Sequence, residues 1–305
     1  MRRNHGLVCG VVIIGVLWVF SIVSAAAPIV VYPSGETHDS IQQAIDAADA
    51  GSTILIPEGA YSENLIISKP LTVIGYGFIS FTPKDPEQPA VCIVDTERVV
   101  LMYFDIDDAA VGVEATNSSF RMVDCLLQDV GIGVKILAMD DDVVVLQDCL
   151  FSGASSGVGV QILGSGRLEM ITCDFDGVAT GAILAGLSTV SAYACNFNAC
   201  YDGLVVSDTV HATLISNWMS DCSNAGIRIA EAPFEVVAYG SVLLVNNAIE
   251  GLSESPISMC DLNGNEPFAY GGEPHGFGNL INCDPSELCS VGYVWPKGLF
   301  SVDFE

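Results

Sequence analysis

The sequence predicts an all-β protein wound as a parallel β-solenoid. Three observations carry this prediction. A repeat of 21 to 24 residues runs through the middle of the chain. One of its columns reads Phe104, Cys125, Cys149, Cys173, Cys195 and Trp218. A second column reads Gly112, Gly133, Gly159, Gly181, Gly203 and Gly226, each glycine preceding an alternating apolar pair such as Val134/Ile136 or Ile227/Ile229. Half of the 305 residues are apolar, only 15% are charged and 30 are glycine, so a large core is expected and helix-forming residues are scarce. Two or three short strands per repeat of this length stack as solenoid coils. The L-x-x-L-x-L-x-x-N frame of leucine-rich repeats is absent and no helical stretch recurs. A β-sandwich would need no steady period.

The elements follow in order. Residues 1–26 open with Arg2 and Arg3, continue with the apolar run 7–23 and end in small residues, the pattern of a secretory signal peptide. An uncleaved run of this length would anchor the chain in a membrane. Residues 40–50 (SIQQAIDAADA) place Ile41, Ala44, Ile45 and Ala48 on one face of a short helix, capped by Asp39 or Ser40 and ended by Gly51. Three short strands follow at 53–56, 65–67 and 71–74, separated by turn residues. They make one coil, with the helix covering its open end. Five clear repeats fill 121–136, 145–162, 170–185, 192–206 and 214–230, flanked by weaker copies at 101–115 and 243–251. The solenoid is assigned to residues 27–252. Residues 253–305, rich in Gly, Pro and Asn, read as a loop-rich C-terminal cap.

The stretch SIQQAIDAADAGSTILIPEGAYSENLIISKPLTVIGYG resembles the opening of right-handed parallel β-helix proteins of the pectin-lyase-like superfamily. The later copies resemble the parallel β-helix repeats of that superfamily, in which asparagine often fills the ladder position held here mostly by cysteine. The resemblance spans residues 40–251 and implies the right-handed fold. It is weak for activity, because the superfamily hosts lyases, hydrolases, esterases, epimerases and non-catalytic proteins. Of the polygalacturonase set N-T-D, D-D, G-H-G and R-I-K, only the acidic run Asp140-Asp141-Asp142 has a counterpart. Gln147-Asp148 faintly echoes the methylesterase Q-D-T-L, without D-F-I-F-G or G-R-P-W. Pectate lyases place an Arg or Lys base beside Ca²⁺. Lys135 and Arg228 are the basic residues to test for that role, and their alternation with apolar neighbours points them outward to solvent.

Charge narrows the partners. The chain carries 37 acidic residues against 10 Lys and Arg, a net charge of −27, and loss of Arg2 and Arg3 would take it to about −29. Such a surface repels nucleic acid, anionic lipid and polyanionic glycans. It keeps an extracellular protein soluble and can attract divalent cations.

Eleven cysteines occur. The column Cys125, Cys149, Cys173 and Cys195 reads first as a buried ladder of small apolar side chains. Inter-coil disulfides and a soft-metal site are the alternatives, the latter without a C-x-x-C pair and with few histidines. Cys200 and Cys222, one repeat apart, are candidates for a coil-to-coil disulfide. So are Cys283 and Cys289 in the cap, while Cys260 would pair elsewhere.

Asp148, Asp174, Asp176 and Asp202 recur near the turn after the ladder, together with Asp124, Asp129, Asn196, Asn198, Asn217 and Asp221. Acids and amides of this kind chiefly satisfy backbone groups at turns. Stacked on one face they would take Ca²⁺, the one cofactor the sequence suggests, and no cofactor is required. Paired carboxylates would serve acid–base hydrolysis. Tyr193, Tyr201, Trp218, Tyr239, Tyr270 and Trp295 are candidates to stack on sugars. Trp218 is expected inside the ladder and Tyr201 at the surface.

The reading that follows is a secreted, periplasmic or cell-surface protein that binds carbohydrate or a cell-surface partner without catalysis. Asp148, Asp174, Asp176, Asp202, Arg228 and Tyr201 are its candidate ligand-binding residues. A polysaccharide lyase or glycoside hydrolase using the clustered Asp with Arg228 or Lys135 is the first alternative. A periplasmic metal-handling protein is the second.

Overall fold

The computed structural model describes residues 29–31, 40–137, 142–153, 155–207, 210–230, 241–245, 247–250, 257–260, 275–277 and 280–282. The signal peptide, Cys283 and Cys289, and the aromatics Tyr239, Tyr270 and Trp295 lie outside these residues.

Strand formation follows from alternation. In Phe120–Val123, Phe120 and Met122 are buried while Arg121 is exposed. A strand shows alternate residues to opposite faces, so this pattern suits a sheet with one face on a core. From Val99 to Cys260 each coil holds three such strands, and in the two coils before these the first two are joined as Ser52–Ser62 and Leu71–Thr82. Val99–Met102, Asp105–Asp107 and Val111–Thr116 make one of the three-strand coils. Among the described residues the strands form two sheets of 19 and nine strands, with parallel pairing. The larger sheet takes two successive strands of each coil and bends around a corner between them. The smaller sheet takes the third strand and forms the back. Crossovers between parallel strands are right-handed, and the chain winds as a right-handed parallel β-helix.

The predicted N-terminal elements are present. Ile41–Ala47 is helical, and Ser40 is its N-cap, with its hydroxyl accepting from the Gln43 N–H. Glu63, from the first coil, accepts from the N–H groups of Ile41 and Gln42. The helix stops at Ala48, short of Gly51, because Ala48 turns to an extended conformation. Ile41, Ala44 and Ile45 are buried on the first coil.

The corners explain the acids. The first corner of each coil is turned by Tyr103, Asp124, Asp148, Thr172, Ala194 or Ser216, with φ between 50° and 61°. The next is turned by Asp108, Asp129, Gly153, Gly177, Ala199 or Asp221, all again with positive φ. This left-handed conformation costs an ordinary L-residue about 1–2 kcal/mol, and Asp and Gly tolerate it best. The recurrence of Asp124, Asp129, Asp148 and Asp221 is therefore a backbone requirement.

Inside, Phe151, Phe175 and Phe197 stack face to face at 4.8 and 4.6 Å between ring centroids. The glycine column lies against these rings.

One sequence expectation is overturned. Strand register pairs Leu126, Leu150, Asp174, Asn196 and Trp218 in one column. The column before it therefore runs Phe104, Cys125, Cys149, Cys173, Cys195 and then Asn217. Asn217 is buried and Trp218 is 53% exposed. A slip of one residue moves a side chain to the opposite face.

Candidate functional site

The face built by the short strands carries the candidate residues. Two outward columns cross it. One reads Asp105, Leu126, Leu150, Asp174, Asn196 and Trp218. The other reads Asp107, Gln128, Ser152, Asp176, Asn198 and Ser220, so Asp174 and Asp176 point the same way from one strand. The Ser220 hydroxyl donates to Asn198 Oδ1 at 3.0 Å, and Asn198 Nδ2 donates to Asp176 Oδ1 at 2.7 Å. These bonds tie three successive coils together across the surface. A shallow open groove lies in the C-terminal half of this face, two coils before the strand Leu280–Asn282, its lining including Asn196, Asn198, Ser216, Trp218, Ser220 and Asp221. It combines one large aromatic surface with amide and hydroxyl groups. That is the equipment for a ligand with apolar ring faces and a rim of hydroxyls.

Other candidates lie elsewhere. Asp148 stands at the first corner, where it accepts from the Thr172 hydroxyl of the next coil and, at 3.0 Å, from Gln147 Nε2. Tyr201 is exposed at the second corner. Asp202 begins a back strand and is buried. It accepts from Asn224 Nδ2 at 2.6 Å and from Arg228 Nε at 2.9 Å. A buried carboxylate needs such partners. Lys135, also on a back strand, pairs with Glu114 at 2.8 Å. The structure does not join Arg228 or Lys135 to the Asp174/Asp176 face, because they belong to the other sheet. Among the described residues, no three or more His, Cys, Asp or Glu side chains converge where they could hold a metal ion. Neither Ca²⁺ nor a soft metal finds such a set there.

The thiols are interior groups. Cys125, Cys149, Cys173 and Cys195 are buried and free, on successive coils. Hydrogen bonds to Cys149 and Cys195, together with burial, hold the Cys173 thiol well above its usual range. The bond to Cys149, with burial, does the same to Cys125. Held protonated in the core, Cys125 and Cys173 are poor nucleophiles, whereas the hydrogen bonds from Cys125 and Cys173 pull the Cys149 thiol downward. Cys200 and Cys222 face one another on adjacent coils at the second corner, also buried and free. A hydrogen bond to Cys222 and burial raise the Cys200 thiol.

Near the start of the face, burial and the charge of Asp107 raise the Asp105 carboxyl above its ordinary value. Burial and then Asp108 raise Asp107 likewise. A raised folded-state value means the folded chain binds the proton more tightly. The contribution to stability is then full below the ordinary carboxylate range and is lost as pH rises through the folded value. Asp105→Asn is expected to raise the melting midpoint at pH 7 and to leave it unchanged near pH 3. Thermal melts at the two pH values check this.

The sequence places Asn196, Asn198, Asp174 and Asp176 together just after the ladder, as the structure does, but it turns Trp218 inward, the residue that gives the groove its aromatic surface. The signal that could have found it is Asn217: asparagine is the residue that fills the family's ladder, and Asn217 lies 22 residues after Cys195, matching the preceding step from Cys173 to Cys195.

Solved structures similar to this chain share its fold. An alginate lyase from Paenibacillus sp. str. FPU-7 superimposes with a TM-score of 0.63 at 12% identity, covering 79% of this chain and 92% of its own. The mannuronan C-5 epimerase A-module from Azotobacter vinelandii gives 0.58 at 15% identity, covering 79% and 83%. A polygalacturonase from Erwinia carotovora ssp. carotovora gives 0.54 at 10% identity, covering 85% and 94%. No curated protein matches the chain in sequence. Among the described residues no helix is long and apolar enough to cross a membrane. Residues 109–264 match the model of the right handed beta helix region, and with its stacked parallel coils the chain belongs to that family.

Proposed function

We propose that this is a secreted β-helix protein that binds an uncharged polysaccharide, without cleaving it, in the groove at Trp218. The observation that carries the reading is the exposed Trp218 ring flanked by Asn196, Asn198 and Ser220. Sugar rings offer C–H faces to an aromatic and hydroxyls to amides. The net charge of −27 argues against uronate polymers as ligands. Secretion rests on the N-terminal pattern of Arg2, Arg3 and the apolar run. The non-catalytic part rests on Asp176 being engaged by Asn198 and on Arg228 and Lys135 being paired on the back sheet.

A lyase or hydrolase is the second reading, favoured by the named activities of the similar structures. One experiment separates the two. The mature protein is incubated with a panel of neutral and acidic polysaccharides, with and without Ca²⁺. Binding, new reducing ends and unsaturated products are followed together. Binding to a neutral polymer without turnover is expected, and Trp218→Ala is expected to weaken it about tenfold or more, the equivalent of ~1.4 kcal/mol. Turnover that disappears in Asp174→Asn/Asp176→Asn would instead make this an enzyme.

A further inference from the structure

The second coil, which begins with Leu71–Thr82, carries extra residues at the same corner that leads to the groove. Ile74 pairs with Met102, and Ser80 pairs with Asp105. Five residues thus separate positions that Tyr103 and Phe104 alone separate in the next coil. Gly75 takes the place opposite Tyr103, whose carbonyl would meet any side chain there, and the buried Ile79 takes the place opposite Phe104. The extra residues Tyr76, Gly77 and Phe78 project outward, with Gly77 at φ +98°. Tyr76 is 77% and Phe78 73% exposed, and Tyr103 beside them is 47% exposed.

The corner continues from there through Asp124, Asp148, Thr172, Ala194 and Ser216, all exposed, and Ser216 lines the Trp218 groove. Tyr103 and Ser216 are five coil steps apart. At ~4.8 Å per step that is roughly 24 Å. One step is close to the length of one ring in an extended sugar chain. The stretch between the two aromatic ends offers carboxylates and hydroxyls, which bond sugar hydroxyls and repel anionic polymers.

We propose that Tyr76, Phe78 and Tyr103 form a second aromatic subsite, and that the ligand is an extended, uncharged, linear glycan lying along this corner parallel to the solenoid axis, about one sugar per coil. This rests on the glycan-binding reading of the Trp218 groove.

The test uses cello-, xylo- and manno-oligosaccharide ladders of two to eight sugars, titrated calorimetrically into the full mature chain. Affinity for one ladder is expected to climb between three and about six sugars and then level off. Tyr76→Ala/Phe78→Ala is expected to weaken the hexasaccharide about tenfold and leave the trisaccharide unchanged. Trp218→Ala is expected to weaken both. All three residues are solvent-exposed, so melting midpoints should stay within a degree or two of the parent, which guards against misfolding as the cause. A plateau at three sugars, a hexasaccharide bound equally by the Tyr76/Phe78 variant, or tighter binding of oligogalacturonate would overturn the spanning site while leaving the groove. No binding of any ladder or neutral polymer by the parent chain would remove the glycan reading itself.

Discussion

Gly159→Ala is expected to destabilise the solenoid by about 3 kcal/mol, the upper end of what overpacking costs in a close-packed interior. The reason is space. A Cβ at Gly159 would stand 2.5 Å from Cδ1 of Phe175 and 2.6 Å from the Gly181 carbonyl oxygen. Neither can yield. Phe175 is held between Phe151 and Phe197 in a parallel stack, and the Gly181 carbonyl belongs to the adjoining strand. The urea midpoint should fall while its slope stays the same.

Gly177→Ala is the control. Gly177 has φ +69° but open space around it, so only its left-handed backbone is penalised, at about 1 kcal/mol. A loss at Gly159 no larger than that at Gly177 would show that the interior relaxes around the added methyl and that packing does not fix the glycine column. Adding Phe175→Leu to Gly159→Ala should recover part of the loss, a coupling a double-mutant cycle reads directly.

Asn217→Ala is expected to cost a similar amount, about 3 kcal/mol, through unpaired polar groups. Asn217 Oδ1 accepts from the Cys195 N–H at 2.9 Å, and Nδ2 donates to the Ala192 carbonyl at 3.0 Å and to Asn247 Oδ1 at 2.9 Å. Asn247 repeats the pattern one coil on, donating to the Leu214 carbonyl at 2.8 Å. Removing the amide strands a donor and an acceptor in the core.

Asn217→Cys should cost less than half as much. In the earlier coils the thiol serves the same carbonyl column: Cys173 Sγ lies 3.4 Å from the Leu146 oxygen and Cys125 Sγ 3.8 Å from that of Leu101. A thiol is a weak donor that keeps this contact; it loses the acceptor for the Cys195 N–H and the donor to Asn247 Oδ1, which still accepts from the backbone N–H of residue 217. Equal losses for Ala and Cys would show that the cysteines fill space without bonding. Chemical denaturation of the two variants distinguishes these results.

The sequence by itself determined the fold, the repeat length and most of the interior. The glycine column and the apolar alternation each recur once per coil, and a solenoid translates any such recurrence into a stack. The helix over 41–47 was legible for the same reason, because its apolar spacing and Ser40 cap are local signals. Asp124, Asp129, Asp148 and Asp221 were legible as turn residues, because the left-handed corners select them one at a time.

What the sequence did not determine was which way Asn217 and Trp218 face. Phe104 at the head of the column made an aromatic look admissible there, and steps of 22 or 23 residues both fit the period. Register decided it. Trp218 N–H donates to the Cys195 carbonyl, which puts Trp218 opposite Asn196 on the outer face and Asn217 in the core. The same is true of the groove and of the Tyr76–Phe78 projection, which bring together residues from different coils. A period states which residues are equivalent. Only the inter-coil hydrogen bonds fix the phase to a single residue, and in a strand a single residue separates the core from the solvent.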